Sequence, residues 1–337
     1  MNLSQKILGL DFKNPTVLAS GIMGITASSW RFCVQNGAGG ITTKSLWPME
    51  HEGNRNPTII ATEHWTLNAV GVPDAGPEKA KEELGDFMTD HSVPLIANII
   101  GMSASEFASI AAVVASQKPD FIEVNLSTPT FLKLRGKLFA EDGNEAGAIL
   151  KAVKKEIGSI PMFAKLTPNV ANIGEIAKAC VDAGCDGITA INTAGPGMAI
   201  DLRSRMPILA AHKGGLSGPG LKPIAVRCVA DIYEATGGQV PIIGTGGIYT
   251  GEDAIEMMLA GASLVGIGTA IWSRGIDVFS KVCDEMQFWC TNEGVWDVSD
   301  LVGGMHKELQ SHGIKQMSMT HKTADSEEPS AVSKKKK

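Results

Sequence analysis

Apolar and polar positions along this chain follow two rhythms that alternate. Eight short apolar runs, rich in strand-forming residues, occupy 16–20, 39–43, 94–98, 120–125, 161–166, 186–191, 240–244 and 263–267. Five of them are nearly continuous, as strands covered on both faces by helices should be. Between them come stretches with helical spacing, including 103–117, 143–157, 170–184, 221–236 and 251–260. Gly184 and Gly261 close two of these stretches just before the next strand, where a left-handed C-terminal residue is often needed. Eight strands in strand-then-helix order predict an α/β fold of the TIM (β/α)8 barrel type. An open doubly wound sheet satisfies the same order and stays open at this point. Two long segments break the beat. Residues 45–75 contain the turn-rich EGNRNPT and a predicted small hairpin, and residues 192–220 are rich in Gly and Pro. Each follows a strand, so in a barrel both would lie over the C-terminal mouth, and insertions of this length are more often functional than decorative. The expected organisation is one barrel domain over 1–313 and a polar tail over 314–337. That tail ends in Ser-Lys-Lys-Lys-Lys and reads as a disordered terminus or as a weak docking patch for anions.

Composition narrows the class. The 337 residues are 44% apolar and 20% charged, ordinary for a soluble protein with a large core, and a barrel of this size runs as one unit. A formal net charge of −6 gives no general attraction to nucleic acid. Thirty-eight glycines against two tyrosines indicate many tight turns and close backbone approaches. The six cysteines form no C-x-x-C pair and no zinc or iron–sulfur spacing, so no metal is expected and they read as buried small apolar residues. No signal-like segment and no apolar run of about 18 residues appear. The expected location is therefore the cytoplasm, with no transmembrane segment.

In a (β/α)8 barrel the chemistry gathers where strands end. Reading those positions in order gives Ser20-Gly21, Lys44-Ser45, Asn98, Asn125, Lys165, Asn192-Thr193, Gly246-Gly247 and Gly268-Thr269. Lys and Asn at five strand ends are poor core filler, because buried polar groups need partners. The Gly clusters at 244–247 and 266–269 follow consecutive strands, and their backbone N–H groups suit a phosphate. Lys44 and Lys165 supply two cations for an anionic substrate and an electron-rich cofactor. Asn68, Asn98, Asn125 and Asn192 each offer donor and acceptor together, which matches a ring bearing alternating N–H and C=O groups. A flavin and a pyrimidine both answer that description.

At these residues the sequence resembles the dihydroorotate dehydrogenase catalytic subunits. The likeness covers nearly all of residues 5–292. It rests on NPTVLASG (14–21), GGITTKS (39–45) with EGNRNPT (52–58), LNAVG (67–71), EVNLSTP (123–129), AKLTPN (164–169), INTAGPGMAID (191–201), GGLSGPGLKP (214–223) and PIIGTGGI (241–248). GMAID, GGLSGP and KPIA look closest to the branch, class 1B, that works with an iron–sulfur flavoprotein subunit and passes electrons to NAD. The resemblance implies FMN-dependent oxidation of (S)-dihydroorotate to orotate in pyrimidine biosynthesis, with a proton removed from C5 and a hydride moved from C6 to flavin N5. It implies FMN contacts at Ser20, Lys44, Ser45, Asn98, Asn125, Lys165, Ile191, Gly218, Gly246, Gly247, Gly268 and Thr269. It implies substrate contacts at Lys44, Asn68, Ala69, Val70, Gly71, Val72, Asn125, Asn192 and Thr193. A homodimeric core and an iron–sulfur/FAD electron-transfer subunit follow from the same likeness; the physiological electron acceptor does not. From the resemblance, the barrel is expected to stand without the membrane-associating N-terminal helices of the quinone-dependent branch.

Two positions depart from the family pattern. The base, expected in the loop after the fourth strand as cysteine in this branch and serine in the quinone branch, is Thr128 here. Its hydroxyl is a far weaker acid than a thiol, and it needs a relay or strong positioning to take a proton. Thr130 stands where an asparagine usually contacts the pyrimidine. With Thr128 and Lys44 as the catalytic pair, the expected activity is still the oxidation of dihydroorotate. A barrel acting on a different reduced ring or acid, and a non-catalytic flavin- or phosphate-binding barrel, remain as other readings. Residues 130–136, with Lys133 and Arg135, are expected to form a lid that excludes water.

Overall fold

Eight parallel strands close on themselves, each hydrogen-bonded to two neighbours, so the open sheet is excluded. A computed structural model describes residues 1–128 and 136–313. In chain order the elements are β1 (Thr16–Leu18), α1 (Ala27–Gln35), β2 (Gly40–Thr42), α2 (Pro77–Met88), β3 (Leu95–Ile99), α3 (Ala104–Ala115), β4 (Phe121–Asn125) and α4 (Gly143–Ile157). They continue as β5 (Met162–Leu166), α5 (Ile173–Asp182), β6 (Gly187–Ala190), α6 (Lys222–Thr236), β7 (Ile242–Thr245), α7 (Gly251–Leu259) and β8 (Leu264–Ile267). After these come α8 (Ala270–Arg274), α9 (Val278–Asn292) and α10 (Gly304–Ser311). The helices start where side chains cap them. Thr26 with Ser29 and Thr250 with Asp253 form capping boxes, and Asp142 accepts from the backbone N–H groups of Asn144 and Glu145.

The barrel interior is divided along its axis. Toward the N-terminal face, Val17, Ile96, Phe121, Phe163, Ile243 and Leu264 form one apolar cluster with Ile7 and Phe12. The last two belong to a hairpin, Gln5–Ile7 paired with Leu10–Phe12, that covers the bottom of the barrel. Phe121 meets Phe163 edge-on at 5.5 Å, an arrangement the ring quadrupoles favour. Toward the C-terminal face the lumen turns polar. Strand register sets Asn98 beside Glu123 and Asn125 beside Lys165. The outer faces of the strands pack with the helices into the main apolar core.

The two long insertions meet above the mouth. Ile59–Ala61 and Thr66–Asn68 form the expected hairpin, and Thr66–Asn68 pairs with Gly214–Ser217 from the second insertion. Ala194–Gly197 completes this four-stranded antiparallel sheet. The pairing of the two insertions is not visible in the sequence. Among the described residues no helix is long and apolar enough to cross a membrane, and no cluster of His, Cys, Asp or Glu could hold a metal ion. All six cysteines are buried and unpaired.

Candidate active site

A cavity of about 640 Å3 opens at the C-terminal mouth, beneath the shared sheet. Its size lies within the ~300–1,000 Å3 typical of small-molecule and cofactor sites. Ser20, Lys44, Ser45, Asn125, Lys165, Ile191, Asn192 and Thr193 reach it from the ends of β1, β2, β4, β5 and β6. Gly246 and Gly247 follow β7, Gly268 and Thr269 follow β8, and Gly218 precedes α6. Asn68, Ala69, Val70, Gly71 and Val72 hang over it from the first insertion, and Thr128 enters from the loop after β4. Of the described residues predicted as contacts, Asn98 alone is not part of the lining. It is fully buried. Its amide nitrogen donates to Glu123, while its Oδ1 has no partner. Asn54, His212, Lys213 and Trp272 also line the cavity, and the motifs did not single them out as contacts. Thr130, Lys133 and Arg135 lie outside the described residues.

The polar half of the lumen is held by a connected set of bonds. The Lys165 ammonium lies 3.7 Å from Glu123, and both side chains are almost wholly buried. Glu123 was not anticipated as a site residue, although a charged residue two positions before Asn125 in an otherwise apolar strand faces the same way. Asn125 Nδ2 donates to Ser45 Oγ at 3.1 Å, and Asn125 Oδ1 accepts from the Ser127 hydroxyl at 3.1 Å. Asn192 Nδ2 donates to Ser127 Oγ at 2.9 Å, and the Thr193 N–H donates to Asn192 Oδ1. These bonds fix both asparagine amides in one orientation and tie the loop after β4 to the end of β6.

Lys44 stands opposite this set. Its ammonium donates to the Pro73 carbonyl. Burial pushes it below the ordinary lysine range, with the Asp74 carboxylate opposing that shift. Thr128 is 8% exposed and lines the cavity. Among the described residues that form the lining there is no Asp, Glu or Cys. Groups of the described lining able to take part in proton transfer are its hydroxyls, Thr128 among them, the lysine amines and His212.

On the far side, Gly246 and Gly247 have φ of +130° and +75°. A Cβ at Gly247 would sit 2.7 Å from the Lys222 backbone nitrogen, and one at Gly246 would sit 2.8 Å from Ala225 Cβ. Only glycine fits both the conformation and the space. The cations beside these loops are already committed: Lys222 pairs with Asp253 at 2.8 Å and Glu256 at 2.6 Å, and Arg274 with Glu285 at 2.6 Å.

Comparison with known proteins supports the resemblance read in the sequence. The family model described as dihydroorotate dehydrogenase matches residues 2–289. The protein of Methanocaldococcus jannaschii named dihydroorotate dehydrogenase B (NAD(+)), catalytic subunit, is 45% identical over 308 residues, covering 90% of this chain and 98% of its own length. The protein of the same name from Pyrococcus abyssi is 40% identical over 301 residues, covering 89% and 98%. A crystal structure of the Eimeria tenella enzyme in complex with ferulenol superposes with a TM-score of 0.79 at 27% identity, covering 91% of this chain and 89% of that one.

Proposed function

Because the chain belongs to the dihydroorotate dehydrogenase family, we propose that it oxidises dihydroorotate to orotate with FMN as its flavin and Thr128 as the proton acceptor. One observation carries the reading. A single cavity gathers three lysines, four asparagines and a glycine-lined cradle from the strand ends and the insertions above them. The residues fit the flavin. Gly246 and Gly247 leave the room a phosphate needs at the backbone, and the amides of Asn68, Asn125 and Asn192 in the lining match a ring with alternating N–H and C=O groups. Ser20, Ser45, Asn125, Lys165, Ile191, Gly218, Gly246, Gly247, Gly268 and Thr269 would hold FMN, with Lys44 at the boundary between flavin and substrate and Asn98 behind the lining, bonded to Glu123. Bound FMN supplies the acceptor for the hydride that leaves C6.

The remaining steps belong to the chain. Lys44, a buried cation, faces the substrate carboxylate. Asn68 through Val72, Asn125, Asn192 and Thr193 surround the pyrimidine, and the bonds from Asn192 to Ser127 orient the loop that carries Thr128. The C5 proton passes to Thr128 Oγ1. An un-ionised hydroxyl accepts a proton only by handing on its own, so Thr128 takes the C5 proton as it passes its own to solvent water at the open mouth. Lys165, buried beside the flavin, stabilises the negative charge that accumulates on reduction, and Glu123 holds its position.

Anaerobic mixing of the yellow protein with dihydroorotate should bleach the flavin absorbance in one turnover. Colourless protein that takes up no FMN, or flavin that stays oxidised, overturns the reading. The relatives named catalytic subunits support a partner that accepts the electrons. We read it as an iron–sulfur/FAD subunit reducing NAD in the cytoplasm, joined to a homodimer of barrels spanning residues 1–313. An NAD-reducing complex that forms on co-expression with such a subunit, and not without it, is the expected result.

A further inference from the structure

We propose that Tyr249 is a positioning residue for the flavin phosphate, its hydroxyl orienting that of Thr269 so that Thr269 presents its own proton to the anion. The inference rests on the FMN reading given above. Thr269 lines the cavity and Tyr249 does not. The Tyr249 phenol reaches from the loop after β7 to the start of α8 and donates to Thr269 Oγ1 at 2.9 Å.

Three features make that bond consequential. A threonine hydroxyl has one proton and two lone pairs, so accepting from Tyr249 leaves its proton free for a second acceptor. A phosphate dianion only accepts, and a hydroxyl turned the other way would aim a lone pair at it. The neighbouring cations do not make up the difference, because Lys222 and Arg274 are held in ion pairs by Asp253, Glu256 and Glu285. Neutral donors therefore take a larger share of the anion, and the direction of each one counts.

Tyr249 is also unusually well fixed. Its backbone N–H donates to Asp253 Oδ2 at 3.0 Å, and its carbonyl accepts from the Arg274 guanidinium, which Glu285 grips in turn. Burial pushes the phenol above the usual tyrosine range, with the hydroxyls of Thr269 and Ser273 opposing, so it stays protonated at neutral pH. Asp253 also caps α7, so the tyrosine, the glycine loop and the helix start form one unit.

The test compares full-length protein loaded with FMN and with riboflavin, the latter identical but for the phosphate, by following flavin fluorescence released on dilution. Tyr249→Phe keeps the ring and removes the donor. It should weaken FMN about five- to tenfold, the effect of losing one orienting hydrogen bond between neutral hydroxyls, and leave riboflavin within about twofold. In a Thr269→Val background the same change should have almost no further effect, and the 31P resonance of bound FMN should move in the single variant. Equal losses for both flavins, no loss for FMN, or an undiminished effect in the Thr269→Val background would overturn the proposal. Wild-type protein that holds riboflavin as tightly as FMN would instead sink the cofactor reading on which it rests.

Discussion

Replacing Lys165 with methionine removes a cation while keeping most of the buried stem, and it leaves Glu123 charged inside the barrel with only the Asn98 amide for company. At 3.7 Å and an effective dielectric of about 20, the lost attraction is roughly 4.5 kcal/mol. Experience with broken buried pairs leads to a similar figure, about 3–5 kcal/mol, because the stranded charge cannot regain water. Lys165→Met should therefore lower unfolding stability by about 4 kcal/mol. Adding Glu123→Gln removes the stranded charge and keeps an acceptor for Asn98, so the double variant should recover to within about 1 kcal/mol of wild type. Urea unfolding of flavin-free protein, followed by far-ultraviolet circular dichroism, measures all four corners of the cycle. A Lys165→Met protein that loses less than about 1 kcal/mol, or a double variant no more stable than that single one, would show that the two side chains do not compensate each other.

Three further outcomes follow from the same cavity. Thr128→Ala should slow flavin reduction by dihydroorotate at least ~100-fold while changing orotate affinity less than about threefold, and Thr128→Cys should restore the rate with a pH profile displaced downward, since a thiol ionises more readily; stopped-flow absorbance across pH reads both, and a wild-type rate in the alanine variant removes Thr128 from the chemistry. Burial holds Lys44 below the ordinary lysine value of 10.5, so affinity for the orotate carboxylate should be complete at low pH and decline as pH rises through that lowered value; an orotate dissociation constant that stays flat into the ordinary lysine range would contradict the pairing. Gly247→Ala forces a side chain onto a φ of +75° against Lys222, which should cost about 1–3 kcal/mol of stability and most of the FMN binding, measured by melting temperature and flavin content.

The barrel was legible because its strands are buried on both faces and so read as apolar runs; the observed strands fall within a residue or two of those runs. The strand-end lysines, asparagines and glycines stood out for the complementary reason, as polar or side-chain-free positions where apolar ones would otherwise continue. What stayed hidden depends on distant pairing. The strands over the mouth are three to four residues long, too short for a period-2 signal, and Asn68 finds Gly215 almost half the chain away. Glu123 stands inside an anticipated motif, yet only the register with Asn98 and the approach to Lys165 reveal its partners. Tyr249 is no more than a residue after a glycine cluster until α8 is placed beside it. Asn98 shows the limit of reading strand ends: the register sets it beside Glu123, behind the cavity lining.

The sheet shared by the two insertions bears on how such an enzyme can diversify. Barrel loops are usually treated as separate modules that can be exchanged one at a time. Here the segments after β2 and β6 lend each other backbone hydrogen bonds, so a crossover between residues 76 and 194 would unite halves that had never been matched. Any new specificity at the outer half of this pocket has to be inherited as a pair of segments, and grafting only one of them onto a related barrel should leave it without a partner strand.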